Sequence, residues 1–189
     1  FFFISNSPKI KLLAGKPLRY KALLPSLRRP GESFTLHIKG EDLWGNVSDT
    51  ADKEFRLKSS IPVQNLPERV RLKPGMFSVS CPDLRVSTEG LLSISAYDAE
   101  TGALLAESNP LLIDPEPAYS RYWGDLHGQS EETIGTNSID YYFSFARDKA
   151  FLDVSCHQGN DFQIDEGLWK RIQEATKGFN RDGSFVVFP

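Results

Sequence analysis

The hydrophobic period changes once along this chain, at Asp114-Pro115-Glu116-Pro117, and that change limits the possible folds more than any other feature. From about residue 9 to 113 the period is two. Phe34, Leu36 and Ile38 alternate with Thr35, His37 and Lys39. Phe55 and Leu57 alternate with Glu54, Arg56 and Lys58, and Leu92, Ile94 and Ala96 with Ser93, Ser95 and Tyr97. Alternation of this kind marks strands with one buried and one wet face. Turn signals separate the runs at Arg29-Pro30-Gly31, Trp44-Gly45-Asn46, Lys73-Pro74-Gly75 and Thr101-Gly102. The stretch from Tyr97 to Gly102 reads as a hairpin loop. About seven short strands at this spacing predict an antiparallel β-sandwich of immunoglobulin-like architecture, without the Cys…Trp…Cys pattern of antibody domains. His37 lies on the polar face of its strand and is expected to be solvated. Glu41 to Asn46 reads as a plain turn.

The two prolines of 114–117 favour extended chain and resist helix. They divide the sequence into a β-sandwich domain with its linker, 1–118, and a second part, 119–189. In that second part, Arg121 to His127 predicts a strand. A helix follows, with Thr136 or Asn137 as N-cap and Ile139, Tyr142, Phe143 and Ala146 on one stripe. Ala150 to Ser155 is an apolar second strand, as a strand covered on both faces should be. A second helix spans about Asp165 to Lys177 and is stopped by Gly178. Ser184 to Phe188 makes a third strand. The order β-α-β-α-β predicts a parallel sheet with right-handed crossovers, so the whole is an α+β chain in two parts.

Charge separates the parts as well. The chain has 22 basic and 25 acidic side chains, a net charge of −3, which argues against nucleic-acid partners. Residues 119–189 are the more acidic part and hold two of the three histidines. No apolar run is long enough to span a membrane as a helix. Two cysteines are not a disulfide framework. The opening Phe1-Phe2-Phe3-Ile4 lacks a methionine and no signal peptide is visible, so the compartment stays open, with a cytoplasmic setting favoured.

In parallel α/β folds chemistry gathers at the carboxyl ends of the strands. That rule selects Gly124-Asp125-Leu126-His127-Gly128-Gln129-Ser130-Glu131-Glu132 and Ser155-Cys156-His157-Gln158-Gly159-Asn160-Asp161. Period two puts Asp125, His127 and Gln129 on one side of the first strand. A carboxylate and an imidazole there, facing the imidazole of His157, are metal-ligand chemistry. Cys156 and His157 are strand neighbours and point to opposite faces, which disfavours a Cys–His nucleophile pair. Trp123 and Trp169 read as core.

Tyr122-Trp123-Gly124-Asp125-Leu126-His127-Gly128-Gln129-Ser130 resembles the opening motif of the PHP superfamily (polymerase and histidinol phosphatase), a strand ending in Asp-Leu-His-x-His. Ser155-Cys156-His157 resembles that superfamily's Thr-Asp-His. Asn160-Asp161-Phe162 and Phe185-Val186-Val187-Phe188-Pro189 extend the likeness to a bacterial PHP-like family of unknown function with a β-rich N-terminal region. The resemblance implies a distorted (β/α)7 barrel, of which this chain reads as an N-terminal fragment. It implies a metal-dependent hydrolase acting on phosphoesters or another small-molecule substrate. One or two divalent ions, zinc, manganese or iron, would be held by Asp125, His127, Gln129 and His157. Glu132 and Asp161 would be the catalytic carboxylates. Two departures stand out: Gln129 replaces the second histidine of His-x-His, and Cys156 replaces the aspartate of Thr-Asp-His. They keep a second reading open, a catalytically degenerate barrel serving as a scaffold beside a ligand-recognising sandwich.

Overall fold

The computed structural model describes residues 12–189. The opening Phe1-Phe2-Phe3-Ile4 and the expected start of the β region near residue 9 lie outside the described residues. Among the described residues ten strands precede the linker, more than the seven expected. They are β1 (Arg19–Leu23), β2 (Leu27–Arg28), β3 (Phe34–Glu41), β4 (Lys53–Ser59), β5 (Arg69–Leu72), β6 (Ser78–Leu84), β7 (Gly90–Leu92), β8 (Ile94–Asp98), β9 (Leu104–Glu107) and β10 (Leu111–Ile113). The surplus arises from short pieces such as β2 and β7, too brief to show a period of their own.

These strands form an antiparallel sheet of order β1-β3-β6, an antiparallel sheet of order β5-β4-β8-β9, and a small mixed sheet of order β2-β10-β7. Their inward residues share one core: Leu36 and Ile38 from β3, Phe55 from β4, Leu84 from β6, Ile94 and Ala96 from β8, and Leu111 from β10. That common core makes a β-sandwich, and the residues that alternate as apolar in the sequence are the ones that fill it. The hairpin between β8 and β9 turns through Gly102 at φ 74°, a conformation that favours glycine. The Asp98 carboxylate tightens this hairpin by accepting from the Glu100 amide at 2.9 Å.

Beyond the linker come β11 (Gly124–Gly128), α1 (Ile139–Asp148), β12 (Val154–His157), a 3-10 turn (Asp161–Gln163), α2 (Glu166–Phe179) and β13 (Val186–Phe188). The three strands form a parallel sheet of order β11-β12-β13, separate from the sandwich sheets. Boundaries differ from expectation in detail. Ser138 caps α1, its Oγ accepting from the Tyr141 amide at 3.3 Å, in place of Thr136 or Asn137. Asp165 caps α2 through the Leu168 amide at 2.7 Å. Gly178 does not end α2: it stays helical, and Asn180 is the C-cap. The strand β12 begins at Val154 and not at Ala150, because Phe151 takes φ 57°, outside the range of any strand.

Both helices pack on one face of this sheet around a second core of Ile139, Phe143, Ala146, Ile172, Ala175, Phe185 and Val187. Alternation then sends Val186 and Phe188 to the other face, and Phe188 is exposed. Trp123 and Trp169 are not core: they are 56% and 43% exposed. The Trp123 indole reaches across to the sandwich instead, its Nε1 donating to Ser26 Oγ at 2.9 Å.

Other contacts join the halves. The Lys39 ammonium donates to the Lys149 carbonyl at 3.0 Å. The Lys149 ammonium sits 3.6 Å from the centre of the Phe77 ring. His37 is not solvated as expected. Phe151 covers it, the rings stacked 4.1 Å apart at 15°, and its Nδ1 lies 2.8 Å from Ser80 Oγ. A groove of about 430 Å³ borders this contact, lined among others by Arg147, Asp148, Asp153 and Ser184.

Two outcomes are expected. Phe55→Ala should cost about 3–5 kcal/mol in urea unfolding, as for a large side chain removed from a closed core. Burial lowers the His37 pKa to about 4. The unfolded chain takes up this proton near pH 6.5 and the folded chain only near 4. His37 therefore lowers stability as pH falls between those values, by at most about 1.4 kcal/mol per pH unit. Urea titrations across that window should show a shallower slope in His37→Gln than in wild type. Equal slopes would place the imidazole in solvent.

Candidate functional site

The first segment of interest leaves β11, and the second leaves β12, its parallel neighbour. Register pairs Asp125 with Ser155 and Gly128 with His157, with an irregularity between. Gly128, not His127, is thus the partner of His157. Their surroundings differ accordingly. His127 is exposed, and its backbone amide donates to Asp125 Oδ1 at 3.0 Å. His157 is 3% exposed.

Gly128 must be glycine, because a Cβ there would overlap the Tyr142 hydroxyl. That hydroxyl rests on the carboxyl end of β12, donating to the Cys156 carbonyl at 3.1 Å and accepting from Ser155 Oγ at 3.1 Å. Burial raises the Tyr142 pKa, so the phenol stays protonated. Tyr142 is the post that fixes α1 over the site. Its position on the apolar stripe of α1 is visible in sequence; its polar role is not.

A buried polar trio lies beneath. Ser130 Oγ is 2.8 Å from His157 Nε2, and Ser130 has no exposed surface. Glu132 is partly buried, and its Oε1 accepts from the Ile139 amide at 3.3 Å. Burial works to raise the Glu132 pKa. The Ser130 hydroxyl, the Glu132 and Ile139 amides and the nearby His157 outweigh it and hold the carboxyl below its ordinary value. Burial also lowers the His157 pKa, with Glu132 opposing, so the ring stays neutral to lower pH than an ordinary imidazole. Two atoms of this trio, His157 Nδ1 and Glu132 Oε2, are buried with no hydrogen-bond partner among the described residues. Buried polar atoms are seldom left this way.

The other expected residues stand apart. Gln129 Oε1 accepts from the Thr133 hydroxyl at 3.0 Å. Asp161 is exposed on the 3-10 turn, where its Oδ1 accepts from the Phe162 amide at 2.8 Å. Cys156 points away from the trio, its Sγ 3.8 Å from the Pro189 carbonyl, and burial raises its pKa. The nearby Asp125 carboxylate adds to that rise, so Cys156 stays a thiol. Imidazole nitrogen and carboxylate oxygen are donors for zinc, manganese or iron, so the trio fits a divalent ion in kind. It does not fit in number: no group of three or more His, Cys, Asp or Glu side chains among the described residues is placed to hold a metal. Ser130 was missed in sequence; its signal is the period-two step from buried Gly128.

No helix among the described residues is long and apolar enough to cross a membrane. No family model matches the chain. It is similar to an uncharacterized protein of Chlamydia pneumoniae, with 25% identity over 168 residues, 86% of this chain and 27% of that protein. Uncharacterized proteins of Chlamydia muridarum and Chlamydia trachomatis serovar D are each 24% identical over 170 residues, with the same coverage. The solution structure of a fibronectin type-III domain of human fibronectin type III domain containing protein 3 aligns with 56% of this chain, at 17% identity and a TM-score of 0.22. This β-rich chain thus has bacterial relatives and spans about a quarter of the length of the curated ones it matches.

Proposed function

We propose that the complete protein is a metal-dependent hydrolase of PHP type acting on phosphoesters. In this reading residues 119–189 are the first strands and helices of its barrel, and the preceding sandwich is immunoglobulin-like. The observation that carries it is the pair of buried, unpartnered donor atoms, His157 Nδ1 at the carboxyl end of β12 and Glu132 Oε2 in the loop that follows β11. The uncovered sheet face supports it too. Parallel sheets bury both faces, and here Phe188 and Leu126 lie exposed.

His157 and Glu132 would hold the ion, with Asp125 and His127 reaching it from β11; further ligands would come from elsewhere in the complete protein. A divalent ion held there would lower the pKa of a bound water. Glu132, kept ionised by Ser130, the two amides and His157, is suited to accept a proton from water. Asp161, on the exposed turn after β12, is placed to meet the substrate or its leaving group. The scaffold reading keeps one observation in its favour: no three ligand side chains come together among the described residues.

Elemental analysis of the complete protein should find one or two divalent ions per chain. His127→Ala and His157→Ala should each lose most of that metal, and His37→Ala none. The wild type should turn over a generic phosphodiester with added manganese or zinc, while the 189-residue chain should not. A complete protein that binds no metal and has no turnover would leave the scaffold reading in place.

A further inference from the structure

The sandwich carries an apolar surface that the hydrolase reading does not use. It forms where the segment before β1 meets the turn after β3. Leu13, Leu18, Leu43 and Trp44 are each more than half exposed there, Trp44 at 83%. With Leu12 they line one groove of about 440 Å³. Single exposed leucines are ordinary on a protein surface, but a contiguous group of large apolar side chains marks a place where something binds.

The group is held on a fixed frame. The buried Asp42 carboxylate accepts from the amides of Gly15, Trp44 and Asn46, each at 2.9 Å, and from Asn46 Nδ2 at 3.0 Å. One side chain thus closes the turn and ties it to the segment before β1. Ser48 Oγ adds a bond to the Gly15 carbonyl at 2.7 Å. A surface ordered in advance loses little conformational freedom when it is covered.

Charge selects what covers it. The first 31 residues carry seven basic side chains and no acidic one, in a chain whose net charge is −3. Lys16 lines the groove, and Arg19 stands exposed at the start of β1. The acidic side chains beneath are buried and already engaged. Glu41 pairs with Lys21 at 3.1 Å and Lys39 at 3.2 Å, and Asp42 faces its amides. Solvent therefore meets aliphatic side chains, one indole and cations. In a bilayer surface, aliphatic side chains enter the acyl boundary, Trp settles at headgroup level, and Lys and Arg meet anionic headgroups. We infer that Leu13, Leu18, Leu43 and Trp44, with Lys16 and Arg19, seat this chain on an anionic lipid surface, lying on the bilayer and not crossing it. The inference stands apart from the hydrolase reading.

The test sediments the 189-residue chain with vesicles of phosphatidylcholine alone, and of phosphatidylcholine and phosphatidylglycerol in equal parts. Wild type should sediment with the mixed vesicles and far less with the neutral ones. Added salt should weaken that binding, because it screens exposed charges. Trp44→Ser should weaken it roughly tenfold or more, as expected when a large apolar side chain loses its apolar setting, and Leu43→Ser should act in the same direction. Lys16→Glu should weaken binding to the mixed vesicles roughly tenfold and leave the neutral ones unchanged. Trp169→Ser, at an exposed indole on α2, should match wild type. All these positions are exposed, and circular dichroism confirms that each variant is folded. Wild type left in the supernatant with both vesicles overturns the inference, as does equal sedimentation with the two. Trp44→Ser sedimenting as fully as wild type also overturns it. Self-association of wild type that Trp44→Ser abolishes, in place of vesicle binding, would assign the face to a second copy and overturn it too.

Discussion

Phe151 is where the chain turns into β12 and where the α/β unit stacks on the sandwich. Its backbone lies in the left-handed region, which costs a residue with a side chain about 1–3 kcal/mol. That reversal lets the chain leave α1 and enter β12 parallel to β11. It also lays the Phe151 ring flat on His37 of β3. An aromatic pair contributes about 0.5–1.5 kcal/mol beyond its buried area. The bond from Lys39 to the Lys149 carbonyl adds to this, two residues before the reversal. One strained residue therefore both contacts the sandwich and lies just ahead of β12, which begins at Val154.

The start of β12 in turn decides which side chains share a face. Ser155 and His157 lie two apart and turn toward α1 and the loop after β11. Cys156 turns the other way and faces Phe188 across the sheet register. Tyr142 then closes over Gly128, in the space its missing Cβ leaves. The buried Ser130–Glu132–His157 trio follows from this packing. Such a trio is costly in a low-dielectric setting unless its members satisfy one another, and two of its atoms stay unsatisfied. Polar atoms left in this state, at strand ends where α/β folds place chemistry, are a reason to look for a ligand.

The two faces of the parallel sheet differ. The helices cover one face with Ile139, Phe143 and Ile172, while the face bearing Phe188 lies open. In the curated relatives it matches, this chain accounts for about a quarter of the length.

The sequence by itself determined the two kinds of structure and the place where they change. Period-two runs such as Phe34-Leu36-Ile38 name the sandwich core directly, because alternation and burial are the same fact in a strand. The start of α2 near Asp165 and the apolar stripe of α1 are equally local, and so were legible, though the α1 cap was not. The count of strands was not, because two- and three-residue strands are held by neighbours and not by their own pattern. Tertiary structure alone decided that His37 and Trp123 serve the contact between the halves, that Gly128 is the partner of His157, and that Ser130 joins Glu132 beside that ring. Each depends on groups far apart in sequence, His37 and Phe151 or Ser130 and His157. Their meeting is set by how the strands and helices pack on one another, which no local pattern in the sequence records.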